Sequence, residues 1–212
     1  MRYLLIVVLG WLPLLASAVD FDDSTRSLPL GRVMQVFEDR DGNASIAQVS
    51  APSFSEHFRP HQADVLNAGY SKSVFWIKLD LRYTAQPSAT PHSWLLELAY
   101  PPLDHLELYL PDSTGALRLA QRTGDALPYS SRQIEQNNYL FELPFTPGQT
   151  TTAYLRLHSQ GSVQAPLTLW STEAYLEAQP TRLYVLGLIY GVLLGMLVYN
   201  LFIYLSVRDT SY

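Results

Sequence analysis

The stretch SVFWIKLDLRY, Ser73–Tyr83, alternates apolar and polar side chains along most of its length. In an extended chain, Phe75, Ile77, Leu79 and Leu81 fall on one side, and the residues between them fall on the other. A period of two residues predicts a β-strand with one face in a core and the other face toward solvent.

Further short apolar runs of this kind extend in both directions from that strand. The clearest are WLLELAYPPLDHLELYLPD (94–112), GALRLAQ (115–121), NNYLFELPF (137–145), TTAYLRLHS (151–159) and APLTLW (165–170). Turn-forming residues separate them, and residues 31–50 also read as a hairpin about Asp41, Gly42 and Asn43. The pattern predicts a mainly β fold, an antiparallel jelly-roll β-sandwich of roughly eight to ten strands.

The two ends of the chain are apolar in different ways. Residues 1–18 combine Arg2, a short apolar core and an Ala-Ser-Ala end, which is typical of a cleaved signal peptide, with a retained anchor as the alternative. Residues 183–207 carry no charge and reach about 37 Å as a helix, enough to cross a bilayer. Between the domain and this span, STEAYLEAQ (171–179) predicts a short helix that ends before Pro180.

These segments predict an order of domains and a location. We expect a signal peptide at 1–18, a periplasmic jelly roll at 19–172, a linker helix at 173–182, a transmembrane helix at 183–207 and the start of a cytoplasmic loop at 208–212. The chain has a formal net charge of −5, which argues against nucleic acid as a partner. It has no cysteine, as is common in the bacterial periplasm. The predicted location is the bacterial inner membrane, with residues 19–181 in the periplasm.

The same segments resemble a known family of receptors. LNAGYSKSVFWIKLDL (66–81), WLLELAYPPLDHLELYLPD, YLRLHSQGSVQAPLTLW (154–170) and YGVLLGMLVYN (190–200) followed by RDTSY occur in the family's order. The chain resembles the type-two extracellular domain of the seven-transmembrane receptors with diverse intracellular signalling modules, followed by the first helix of their seven-helix region. The resemblance implies a sensor with a carbohydrate-binding-like jelly roll, whose signal passes through seven helices to a kinase or cyclase outside this chain.

The outward face of Ser73–Tyr83 is the predicted ligand site. An aromatic ring among charged hydrogen-bonding groups is a common way to hold a sugar ring. We therefore expect a small ligand, of carbohydrate type, to bind the side chains of Trp76, Lys78, Asp80, Arg82, Tyr154, Arg156 and His158. The alternatives are an ordinary solvated sheet face with cross-strand ion pairs and, for Trp76, a side chain covered by a loop such as HFRPHQADVLNAGY (57–70).

Two further groups of residues have a predicted role. Asp39, Asp41 and Asn43 have oxygen atoms at the alternate positions that calcium uses in a tight loop, although a plain hairpin turn is favoured. Tyr199 and Asn200 lie inside the apolar run, where an amide needs a hydrogen-bond partner, so both are expected to pack against another helix of a bundle.

Catalytic signatures are absent from the sequence. It contains no nucleophile elbow, no phosphate-binding glycine loop and no histidines at zinc-ligand spacing, so we expect a protein that is not an enzyme and needs no cofactor other than calcium, if any. The alternatives to a carbohydrate sensor are a calcium-responsive sensor and a ligand-free module that forms a homodimer or docks a partner protein.

Overall fold

The computed structural model describes residues 18–84 and 93–207, so most of the predicted signal peptide and the predicted cytoplasmic loop at 208–212 lie outside the described residues. The strands are β1 Val19–Phe21, β2 Ser27–Pro29, β3 Gln35–Asp39, β4 Arg59–Pro60, β5 Leu66–Tyr70, β6 Val74–Tyr83, β7 Trp94–Leu98, β8 His105–Pro111, β9 Leu117–Thr123, β10 Tyr139–Leu143, β11 Thr150–His158, β12 Ser162–Ala165 and β13 Leu167–Ser171. The helices are α1 Ile46–Val49 and α2 Thr172–Val207, with 3-10 turns at Pro52–His57 and Tyr129–Ser131.

These strands form two main sheets and one small ribbon. The large sheet has the order β4-β3-β6-β11-β8-β9, with β1 pairing in parallel to the end of β6. The small sheet has the order β10-β7-β13-β2, and β12 pairs with β5. All pairs other than β1 with β6 are antiparallel.

The main core lies between the two sheets, and the alternation of β6 decides which side chains enter it. Phe75, Ile77, Leu79 and Leu81 all join this core, together with residues of the small sheet such as Leu96. Two sheets that share one apolar layer make a β-sandwich. The predicted fold class, a mainly antiparallel β protein followed by one long apolar helix, is therefore confirmed, and the arrangement is consistent with a jelly roll.

A second, smaller core lies on the opposite face of the large sheet. There, residues 44–58, which we call the covering segment, place Val49 and Phe58 against Trp76 and Tyr154. The covering segment contains α1 and the first 3-10 turn. It therefore shields part of a sheet face that alternation alone predicts to be open.

The predicted hairpin at residues 31–50 is wrong in its second half. The first run is β3, but the second run folds as α1. Its local sequence explains the helix, because Ser45 and Gln48 have the spacing of a capping box, and the Ser45 backbone N–H donates to Gln48 Oε1 at 2.9 Å. Strand β3 pairs instead with β6 along its whole length and with β4 through Gln35 and Val36.

The predicted end of a helix before Pro180 is also wrong. Helix α2 runs from Thr172 to Val207 without a break, so the linker helix and the apolar span are one element. A proline inside a helix removes one backbone N–H donor and therefore one hydrogen bond of the helix. The residues on both sides of Pro180 favour a helix, and their contribution is larger than the loss of that hydrogen bond.

The first turns of α2 are attached to the small sheet. Tyr175 is buried against Leu95 and Leu140 on the outer face of that sheet, and its ring centroid lies 6.1 Å from that of Trp170. Arg26 forms an ion pair with Glu177. The long helix therefore begins on the β-sandwich itself.

Candidate ligand-binding cleft

The predicted ligand site depends on the pairing of β6 with β11. In the antiparallel register, Lys78 lies opposite Tyr154, and Asp80 lies opposite Thr152. Because directly opposite residues share a face of the sheet, these four side chains form one cluster on the outer face. The structure thus brings together three of the seven residues predicted from the sequence, Lys78, Asp80 and Tyr154.

The cluster is organised around a partly buried ion pair. Lys78 Nζ lies 3.1 Å from Asp80 Oδ2, and their side chains are 22% and 16% exposed. The other carboxylate oxygen, Oδ1, accepts a hydrogen bond from the Thr152 hydroxyl at 2.6 Å. Both charges are therefore fixed in position and largely shielded from water, while Lys78 retains N–H donors beyond the one directed at Asp80.

Tyr154 contributes an uncharged phenol beside this pair. Burial, with a smaller contribution from the negative charge of Asp80, raises the pKa of Tyr154 to about 12. The hydroxyl therefore stays protonated at neutral pH and is both a donor and an acceptor of hydrogen bonds.

An open cleft of about 370 Å³ lies over the cluster. Its floor consists of Lys78, Thr150, Thr152 and Tyr154. Its walls are Ser50 of the covering segment, Pro111 at the end of β8, Gly115 of the following turn and Leu117 at the start of β9. The cleft combines an ammonium group, several hydroxyl groups and two apolar side chains. Groups of this kind suit a small neutral molecule with many hydroxyl groups.

Trp76 does not face this cleft, which corrects the expectation that its ring stacks on a ligand. The ring is 0% exposed. It packs with Val49 and Phe58 of the covering segment, and the ring centroid of Tyr109 lies 5.7 Å away. The indole Nε1 is buried without a hydrogen-bond partner. Trp76 therefore holds the covering segment in place and offers no surface to a ligand.

The remaining three predicted residues lie at other points of the face. Arg82 forms a bidentate ion pair with Asp20, at 2.7 and 2.6 Å, which raises the pKa of Arg82 and lowers that of Asp20. Arg156 lies over the Trp76 ring at 5.9 Å. His158 lies at the far end of β11, opposite His105. None of the three lines the cleft.

The calcium candidate at Asp39, Asp41 and Asn43 has the geometry of a closed turn. Asp39 Oδ1 accepts the Gly42 backbone N–H at 3.0 Å, and Oδ2 accepts that of Ala44 at 2.8 Å. Gly42 has a φ of 68°, which favours glycine. Both carboxylate oxygens of Asp39 thus hold the turn, and no group of three or more His, Cys, Asp or Glu side chains suited to a metal occurs in residues 18–84 and 93–207. This geometry favours the turn over calcium.

Tyr199 and Asn200 lie in the apolar part of α2. Within the described ranges, α2 is the one helix that is long and apolar enough to cross a membrane. Asn200 Nδ2 donates to the Met196 backbone oxygen at 2.8 Å, so the helix itself satisfies part of the amide. Tyr199 is exposed along the helix. The expected packing of both residues against another helix stays a prediction.

Sequence reasoning missed Ser50, Thr150, Thr152 and the apolar wall of the cleft. Thr150 and Thr152 follow the same alternation as Tyr154 along β11, so strand periodicity contains the signal that places them on the outer face. Ser50 and Leu117 reach the cleft only through tertiary packing, which no local pattern encodes.

Comparison with known proteins adds one finding. A family model described as 7TMR-DISM extracellular 2 matches residues 31–171, well over half of the chain. The match covers β3 to β13 and therefore includes the cleft, the covering segment and every strand of the large sheet except β1. No curated protein matches the chain.

Proposed function

The chain belongs to the 7TMR-DISM extracellular 2 family, and from that premise we propose that its cleft binds a neutral, carbohydrate-like ligand in the periplasm. The β-sandwich is the extracellular domain of a sensory receptor, and a candidate membrane helix follows it. The proposal adds the ligand class, the bacterial inner membrane as the location, and a kinase or cyclase that receives the signal through a seven-helix region.

The observation that carries the proposal is the ion pair between Lys78, which lines the floor of the cleft, and Asp80, which also accepts the hydroxyl of the lining residue Thr152. An ion pair with side chains 22% and 16% exposed costs desolvation energy, and such pairs are weak sources of stability. Asp80 itself does not line the cleft, but it orients Lys78 and Thr152, and their ammonium and hydroxyl groups can bind neighbouring hydroxyl groups of a sugar. This arrangement supports a role in binding.

The charge balance of the cleft indicates the ligand class. Asp80 neutralises Lys78 at 3.1 Å, so the floor has no net charge to attract an anion or a cation. The hydroxyl groups of Thr150, Thr152 and Tyr154 add neutral donors and acceptors. A polyhydroxylated neutral molecule matches that set better than a carboxylate or an amine does.

The attachment of α2 supports a signalling role. The helix begins directly after β13 and buries Tyr175 on the small sheet, so a shift between the two sheets would move the helix that enters the membrane. We assign this chain binding and signal transfer, and we assign it no catalysis.

The test is calorimetric titration of the detergent-solubilised chain with a panel of neutral sugars, sugar acids and amino acids. We expect a neutral sugar to bind, and Thr152→Val and Asp80→Asn each to weaken that binding by at least tenfold. The matched control is Thr168→Val, because Thr168 is a half-buried threonine on β13 of the small sheet. This variant should bind the sugar with normal affinity.

Three results would overturn the proposal. Binding of charged ligands alone would exclude a neutral sugar, and equal effects of Thr152→Val and Thr168→Val would exclude this cleft. If the folded chain binds no member of the panel, the proposal also fails and the ligand-free docking module replaces it.

A further inference from the structure

A pair of histidines lies at the opposite end of the outer face, beyond the covering segment. His105 on β8 and His158 on β11 are direct register partners. Their ring centroids are 5.8 Å apart, and the two ring planes differ by 15°. His105 is exposed and His158 is half-buried, so the pair lies at the surface.

The distance between the rings is close to what a shared metal ion requires. An imidazole nitrogen lies about 2.0–2.1 Å from a bound zinc ion, which places two rings on one tetrahedral ion with centroids roughly 5 Å apart. The observed 5.8 Å exceeds that value by less than an ångström, but the two rings are stacked, so their in-plane nitrogen lone pairs do not yet point at one position. Binding therefore requires a change of rotamer at the exposed His105 that turns its ring nitrogen toward that of His158, and such changes are fast at a surface.

The backbone below the two rings is held firmly. Asp104, which precedes His105, accepts the Gln160 backbone N–H at 2.7 Å and thereby ties the start of β8 to the loop after β11. Gly124 packs so closely that an added Cβ would lie 1.9 Å from the Asp104 carbonyl oxygen. A site on a rigid backbone loses little entropy when it binds a ligand.

The neighbouring charges do not block the pair. The next row of the same face contains Arg156, Glu107 and Arg122, and both arginines are directed at Glu107, with N–O distances of 3.9 and 2.8 Å. Glu107 also accepts the Tyr109 hydroxyl at 2.7 Å. The carboxylate offsets part of the positive charge that a bound dication would meet.

We propose that His105 and His158 form a two-histidine chelate for a first-row transition-metal dication. Imidazole nitrogen suits copper, nickel and zinc, and the expected order of affinity places Cu²⁺ first. The described residues supply no third His, Cys, Asp or Glu at this point, so water or an added ligand completes the coordination. The pair is separate from the Lys78–Asp80 cleft.

The test uses the tag-free chain in detergent and Cu²⁺, Ni²⁺ and Zn²⁺ alone as probes. In calorimetry, His105→Gln and His158→Gln should each weaken Cu²⁺ binding by at least tenfold. His57→Gln is the matched control, since His57 is exposed and stacks on Phe54, and its affinity should stay within twofold of the unchanged chain. Mg²⁺, which prefers oxygen ligands, should not compete.

Electron paramagnetic resonance of the Cu²⁺ form separates coordination from an indirect effect. The unchanged chain should show hyperfine splitting from two imidazole nitrogens, and either variant should show one fewer. The proposal is overturned if His105→Gln and His158→Gln both bind Cu²⁺ with normal affinity, or if His57→Gln loses as much Cu²⁺ affinity as they do. It is also overturned if the spectrum of the unchanged chain shows no splitting from two nitrogens. Sugar binding should be unchanged in His105→Gln. The metal proposal and the sugar proposal can therefore each be contradicted without affecting the other.

Discussion

Trp76 and Lys78 lie two residues apart on the same face of β6, yet their surroundings differ. Trp76 is 0% exposed under the covering segment, whereas the Lys78 side chain is 22% exposed at the floor of the cleft. One half of the face is therefore a second core, and the other half is an open cleft. The comparison shows that strand periodicity predicts which side of a sheet a residue occupies, and that exposure depends on what packs there.

The largest expected effect is the loss of stability when the covered half is emptied. Trp76→Ala should lower the free energy of unfolding by about 3–5 kcal/mol, because it leaves a cavity under Val49 and Phe58. Chemical denaturation of the chain measures this. The control Tyr70→Ala, at a residue that is 88% exposed, should change stability by less than about 0.5 kcal/mol. Similar values for the two variants would show that Trp76 is not covered.

A smaller effect is expected at the turn that leads into the covering segment. Asp39→Ala removes the acceptor of the Gly42 and Ala44 amides, so it should cost about 1–3 kcal/mol. Asp41→Ala, at an exposed position of the same loop, should cost less than about 0.5 kcal/mol. Thermal denaturation with and without calcium is the measurement. A calcium-dependent rise in Tm that Asp41→Ala abolishes would favour a calcium site over a plain turn.

The smallest effect concerns Tyr154, which belongs to both halves of the face. Its folded-state pKa is about 12, above the ordinary value of 10.0, so the folded state holds the phenolic proton more tightly than the unfolded state does. Stability should therefore be insensitive to this group below about pH 10 and should fall between about pH 10 and pH 12.

The pKa values of Tyr83 and Tyr109 are also raised, each to about 12, and that of Tyr139 is raised by burial, so Tyr154→Phe should remove only part of that fall in stability. Denaturation curves recorded from pH 8 to pH 12 measure it. If the free energy of unfolding of Tyr154→Phe falls with pH as steeply as that of the unchanged chain, the phenol of Tyr154 is hydrated in the folded state.

The sequence predicts the β-sandwich because its strands alternate clearly, and β6 is the best example. It also places Lys78, Asp80 and Tyr154 on one face, since periodicity and the pairing of two strands are enough for that. It does not predict the burial of Trp76, because the covering segment folds back from residues 44–58 through long-range contacts. The continuity of α2 through Pro180 was missed for a related reason, since a local rule on proline was outweighed by the helical sequence on both sides.

The most direct test of the account uses the absence of cysteine from the chain. Single substitutions Ser50→Cys and Val49→Cys place thiols on adjacent residues, one lining the cleft and the other 1% exposed in the covered half. The rate of reaction with a thiol reagent, with and without a sugar that binds in the calorimetric panel, is the measurement. The account predicts fast labelling of Ser50→Cys that the sugar slows, and slow labelling of Val49→Cys that it leaves unchanged. Equal rates at the two positions, or no protection of Ser50→Cys by the bound sugar, would contradict it.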